Sequence, residues 1–121
     1  MDAEVFVVDN NSTDGSVEYL RPKFPEVVFI ENKDNPGFAK ANNQAIRQCT
    51  GEYVLLLNPD TVVGEESLRS LCFQMDEDPE IGAIGVKMLN GHGVFLPESK
   101  RGFPFALGVV LQDIRPFKAV S

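Results

Sequence analysis

Few soft or imidazole metal ligands are on offer: the chain has two cysteines and one histidine. Cys49 and Cys72 lie in stretches of helical pattern without metal-ligand spacing, which reads them as reduced, partly buried thiols rather than a zinc pair or a disulfide framework. His92 stands between Gly91 and Gly93, a setting more often incidental than catalytic. Basic residues are also scarce. Eleven Lys and Arg against 18 Asp and Glu leave a formal charge of -7 and a pI near 4.6. No basic cluster offsets that balance, which argues against a nonspecific nucleic-acid binder. Apolar runs are only a few residues long, and Met1 is followed by Asp2 rather than by a charged and then apolar segment. The expectation is a soluble, cytoplasmic chain with no transmembrane span and no secretory signal. Internal repeats and low-complexity tracts are absent too.

What is present suits one ordinary globular core. At 121 residues and 43% hydrophobic, the chain is too short for two domains, so a single domain over 1–121 is expected. Its centre is the stretch from Gly51 to Thr61. Val54-Leu55-Leu56-Leu57 is a continuous apolar run, too short for a typical helix and expected as a strand buried on both faces. Asn58-Pro59-Asp60-Thr61 then places an amide, a carboxylate and a hydroxyl at its carboxyl end, the edge where open α/β sheets bind ligands. An ordinary Asn-Pro-Asp turn accounts for these residues equally well.

From the start of the chain, Val5–Val8 is expected as a strand running into the polar loop Asp9–Ser16. A short helix over Gly15–Leu20 ends at Arg21-Pro22, and Glu26–Glu31 is a second strand. After the turn-rich Asn32–Gly37, a helix over Phe38–Cys49 sets Phe38, Ala41, Ala45, Ile46 and Cys49 on one side, with Gly51 placed to stop it. Gly64–Met75 repeats the helical pattern, and Ile81–Val86 is a fourth expected strand. Strand and helix in alternation predict an α/β fold: a Rossmann-like, mostly parallel sheet with helices on both faces. From about residue 88 the pattern is irregular. Asn90-Gly91-His92-Gly93 reads as a hairpin or loop, and Phe105–Leu111 is apolar without an obvious partner.

Three ordered segments carry a resemblance: Val7-Val8-Asp9-Asn10-Asn11-Ser12-Thr13-Asp14-Gly15-Ser16, then Asn35-Pro36-Gly37-Phe38-Ala39-Lys40-Ala41-Asn42-Asn43, then Leu55-Leu56-Leu57-Asn58-Pro59-Asp60-Thr61. On these the chain resembles the donor-binding half of family 2 glycosyltransferases, inverting enzymes of the GT-A fold, and particularly the rhamnosyltransferase-like bacterial members. The resemblance implies a glycosyltransferase of cell-surface polysaccharide biosynthesis, binding a nucleotide-diphosphate sugar and passing its sugar to an acceptor hydroxyl. It implies that Asp9 holds the nucleobase, and that Asp60 falls on the carboxylate of the Asp-x-Asp motif that binds the divalent metal, Mg²⁺ or Mn²⁺. Asn58 replaces that motif's first acid, keeping a hydrogen bond to ribose while bringing no charge. Lys40, near the start of its helix, is placed to approach phosphate, and Asn42 or Asn43 to order a loop. A solvated helix face explains these three as readily. Asn11 is a further nucleotide-sugar candidate, although for it and for Asp14 a self-bonded turn is the favoured reading.

The cation has a clear task in such chemistry. A sugar diphosphate is a polyanion, and a hard cation held by oxygens neutralises the diphosphate as it leaves. Against the family pattern, an opening strand and helix are missing, as are the acceptor half and the acidic motif that carries the catalytic base. Glu98 and Asp113 do not match that motif, so no catalytic residue is assigned. Lys100-Arg101-Gly102-Phe103-Pro104 matches a basic segment that follows the donor domain in related sequences. The expectation is a donor-binding part, truncated at both ends and inactive alone, with a homo-oligomer filling the gap beside the first strand. The alternative is a noncatalytic nucleotide-binding or oligomerising α/β module.

Overall fold

Strand β1 (Phe6–Asp9), helix α1 (Ser16–Leu20), strand β2 (Val28–Glu31), helix α2 (Phe38–Ile46) and helix α3 (Glu65–Glu77) follow in that order in a computed structural model describing residues 2–97. The two strands run parallel, with Phe6 opposite Val28, Val7 opposite Phe29, Val8 opposite Ile30 and Asp9 opposite Glu31. Parallel neighbours need a crossover, and the stretch containing α1 supplies it. The result is a βαβ unit of the Rossmann-like α/β class.

Side chains alternate across the pair. Phe6, Val8 and Ile30 share the face that meets α2, where Ile46, Cys49 and Val54 complete a small core around Phe6 and Ala45. Ala45 is 0% exposed and Phe6 5%, so a methyl against an aromatic ring sets the helix-to-strand distance. Ala41, one turn earlier, is buried as well. Val7 and Phe29 point the other way, and there Arg21, just past α1, lays its guanidinium 5.3 Å over the Phe29 ring and pairs with Glu31. Helix α2 thus covers one face of the pair, and the Arg21 side chain lies over the other. Thr50 donates its backbone N–H at 2.9 Å, and its hydroxyl, to the Glu4 carboxylate, tying the chain beyond α2 to the approach of β1.

By compactness the chain divides into two units, and all of these features lie in the first, which includes Met1–Val63. The second begins at Gly64 and holds α3, whose Glu65 and Glu66 lie at the positive end of the helix and pair with Arg69 at 2.8 and 3.4 Å. No residue of α3 is buried. Beyond it the expected hairpin forms. Leu89 and Phe95 make an antiparallel bridge, flanked by bonds from Asn90 N–H to Val94 O at 2.9 Å and from Leu96 N–H to Met88 O at 3.0 Å.

Two expected strands do not form as ladders among the described residues. Val54–Leu57 has no regular structure beyond a single bridge position at Leu56, which is 49% exposed, while Val54, Leu55 and Leu57 are half-buried. A strand is defined by its partners, and among the described residues β1 is paired with β2 alone. Ile81–Val86 likewise stays irregular; its Gly82 and Gly85 add backbone entropy and offer no side chain to pack. Helix α2 stops at Ile46 rather than Cys49, because the Gln48 N–H turns back to Ala45 O at 2.8 Å and tightens the last turn. Lys100–Pro104 and Phe105–Leu111, with Glu98 and Asp113, lie outside the described residues. No helix among the described residues is long and apolar enough to cross a membrane.

Candidate functional site

Asp9 is the last residue of β1, so its carboxylate leaves the sheet where the ladder ends. There it accepts the Ser12 N–H at 3.0 Å, folding the following loop back on the strand end. Asn11 completes the reversal with φ 65°, a left-handed conformation that a short polar side chain tolerates. Further along, Asp14 accepts both the Ser16 N–H at 3.0 Å and the Ser16 hydroxyl at 2.5 Å. Those bonds, the hydroxyl's first, hold the Asp14 carboxyl below its ordinary value of 3.8. Asp14 therefore shapes the entry to α1, and Asn11 shapes the loop.

The ends of β1 and β2 are joined through Asn32. Its N–H donates to Asp9 O at 2.8 Å, extending the ladder by one bond. The Asn32 side chain donates to Asn10 Oδ1 at 3.0 Å and to Gln44 Oε1 at 2.8 Å, and accepts from Gln44 Nε2 at 2.8 Å. Two strand ends and one helix are held by a single amide. Sequence reasoning left Asn10, Asn32 and Gln44 without a role. The available signal was a repeat: each strand closes with an acid and then an asparagine, Asp9-Asn10 and Glu31-Asn32.

Gly37 starts α2 at φ 88°, ψ 167°, where a side chain is strained whatever the surrounding space. Asn35 steadies this turn by accepting the Gly37 N–H at 3.1 Å. Lys40, in the first turn of α2, is exposed, and its ammonium takes part in no ion pair or hydrogen bond among the described residues. Asn42 is spent locally, bonding Phe38 O at 2.8 Å.

Asn58–Thr61 forms a closed turn. Thr61 donates its N–H at 3.2 Å and its hydroxyl at 2.7 Å to Asn58 O, with Pro59 in the second position, where its fixed φ suits the bend. The Asn58 amide and the Asp60 carboxylate are exposed and make no side-chain bond among the described residues. No group of three or more His, Cys, Asp or Glu among the described residues is arranged to hold a metal ion. A single exposed carboxylate suits a divalent cation as one ligand of a set completed by phosphate oxygens. The hydrogen bonds bring Asp9, Asn10, Asn32 and Gln44 together. No such bond joins Asp60 to Asp9 or Lys40 among the described residues, although Val54, a few residues before the turn, packs on the Phe6–Ala45 core beside β1.

The family model described as glycosyl transferase family 2 matches residues 1–117. Poly(ribitol-phosphate) beta-glucosyltransferase of Bacillus spizizenii is 37% identical over 98 residues, covering 77% of this chain and 16% of that protein. Poly-beta-1,6-N-acetyl-D-glucosamine synthase of Staphylococcus aureus is 29% identical over 83 residues, covering 67% of this chain and 20% of that protein. The chain thus spans a fifth or less of the length of these relatives. No solved structure matches significantly. With a parallel βαβ unit whose carboxyl end gathers Asp9 and its loop, and a family match over nearly its whole length, this chain belongs to glycosyl transferase family 2.

Proposed function

We propose that this chain binds the nucleotide-diphosphate sugar of an inverting glycosyltransferase that builds a polysaccharide or a glycosylated polymer. The observation that carries the reading is the position of Asp9, at the carboxyl end of β1 with its loop bonded back on it, in a chain of this family. Asp9 accepts hydrogen bonds from the base, and the Asn58 amide bonds the ribose. Lys40 offers a positive charge to the diphosphate. Asp60 supplies one carboxylate to a Mg²⁺ or Mn²⁺ ion, which when bound offsets the negative charge of the departing nucleoside diphosphate. In the reaction an acceptor hydroxyl attacks the anomeric carbon from the side opposite the diphosphate. The bond to the diphosphate breaks with its electron pair, and the hydroxyl proton passes to a base that no described residue here is assigned to be.

The acidic balance of the chain supports a cation-dependent mode. With a formal charge of -7, the protein repels a free diphosphate unless a cation screens it. Both relatives' names describe polymers, poly(ribitol phosphate) in one and poly-N-acetylglucosamine in the other, which favours a polymer-building role here. Calorimetric titration of the chain with UDP and dTDP, with and without Mn²⁺, tests the reading. Saturable binding of either nucleotide that strengthens with Mn²⁺ supports it; no binding of either under both conditions refutes it.

A further inference from the structure

Asn32 joins Asp9, assigned above to the donor, to Gln44 on the helix that carries Lys40, although no part of the proposed chemistry uses it. Through its backbone it bonds Asp9 O at 2.8 Å, and through its side chain it exchanges two 2.8 Å bonds with Gln44. Gln44 follows Lys40 by four residues on α2, so the two side chains lie one above the other on the same helical face. A third bond, to Asn10 Oδ1 at 3.0 Å, fixes the residue directly after Asp9. The amide pair is half-buried rather than solvated, and both amides are oriented by two-way donation, so the pair has one good geometry. The core beneath sets the distance of α2 from β1. It packs Ala45 of α2 on Phe6 of β1, with Ile46, Val8 and Ile30 around them, and these apolar contacts are non-directional, whereas the amide bonds fix direction as well as distance.

Building on the donor-binding reading above, we infer that Asn32, with Gln44, is a positioning residue that sets the spacing between the Asp9 carboxylate and the Lys40 ammonium, and so couples recognition of base and diphosphate. Asn32 touches no ligand in this arrangement. Its side chain reaches the donor site through Asn10, next to Asp9, on one side and through Gln44 of α2 on the other.

The test uses the full 121-residue chain and the variants Asn32→Ala, Gln44→Ala and the double exchange N32Q/Q44N, which keeps two facing amides of the same combined length. UDP in the presence of Mn²⁺ is the probe. Each alanine variant is expected to lower UDP affinity about tenfold, Asn32→Ala removing three part-buried side-chain hydrogen bonds and Gln44→Ala two. The double exchange is expected to recover most of that loss. Asp9→Asn and Lys40→Ala are expected to be non-additive, by roughly threefold or more, in the wild-type background and additive in the Asn32→Ala background. A residue that merely stabilised the fold would lower the melting temperature but leave both the affinity of the folded protein and that coupling unchanged, and this result overturns the inference. A readout without nucleotide separates this failure from failure of the donor reading. Amide exchange at Ser12, whose N–H bonds Asp9, is expected to quicken in Asn32→Ala while Val7 and Val8 stay protected. Unchanged exchange at Ser12 overturns the brace even if UDP binds.

Discussion

The Asp9 carboxylate accepts the Ser12 N–H at 3.0 Å, so the residue assigned to the nucleobase also closes its own loop. Two roles on one side chain are separable by substitution. Asp9→Asn keeps an oxygen acceptor for Ser12 and loses the charge; Asp9→Ala loses both. The asparagine variant is expected to keep its melting temperature while uridine and UDP bind about tenfold more weakly, since hydrogen bonds to charged groups are the stronger ones. The alanine variant is expected to show the same affinity loss and to be destabilised by about 1 kcal/mol, because Ser12 N–H loses its acceptor. Calorimetry with uridine and thermal melts check both. Equal uridine affinity for wild type and Asp9→Asn would remove Asp9 from the base site.

A second prediction concerns the contact beneath the site. Ala45 has no exposed surface and abuts Phe6, so added carbon has nowhere to go without moving α2 off β1. Ala45→Leu is expected to destabilise by about 1–3 kcal/mol through overpacking, and Phe6→Ala by about 3–5 kcal/mol through cavity formation. Chemical denaturation measures each. A neutral Ala45→Leu would mean that the helix sits further from the strand than described.

Acid is expected to act on the loop after β1 through Asp14. Bonds from Ser16 depress its carboxyl below 3.8, so the folded form favours the ionised group. A group with a depressed folded-state value contributes fully above its unfolded-state value, and the contribution fades as pH falls through the lower, folded one. Helix α1 should therefore loosen only below about pH 4. Carboxyl NMR titration of Asp14 reads this directly, and Asp14→Asn is expected to abolish the step. A titration at or above the ordinary value would show that the Ser16 bonds do not persist in solution.

Arg21 is expected to matter little for stability despite its two contacts. Its pair with Glu31 is half-exposed on both sides, and such pairs are worth at most about 1 kcal/mol. Stacking on Phe29 contributes on the order of 0.5–1 kcal/mol at an exposed site. Arg21→Ala should lose no more than about 2 kcal/mol by denaturant titration, part of it dependent on salt. A larger loss would mean that the Phe29 face is packed more tightly than its half-buried state indicates.

Much of this architecture was legible in the chain because it is encoded locally. Apolar spacing located α2 and α3 to within a few residues, and the switch from Val7-Val8 to Asp9-Asn10-Asn11 marked the end of β1. The asparagine-glycine run at Asn90-Gly91 signalled a hairpin for the same reason. Val54–Leu57 was not legible. Its apolar run gave the burial tendency but not the pairing, and pairing depends on chain elsewhere. The site divides along the same line. The three motif segments singled out Asp9, Lys40 and Asp60 as residue types, whereas the Asn32–Gln44 amide pair links β2 to α2 and exists only once both are in place.

Donor binding by this chain is expected to depend on both Mn²⁺ and Asp60. The measurement is a calorimetric titration of UDP or dTDP into wild type and into Asp60→Ala, each with and without Mn²⁺. The Asp60→Ala chain should fold normally, because an exposed turn carboxylate contributes nothing to the core, and its melting curve verifies this. Mn²⁺ is expected to strengthen nucleotide binding in the wild type and to have no effect in Asp60→Ala. Mn²⁺-dependent binding of equal affinity in the two proteins would contradict this expectation.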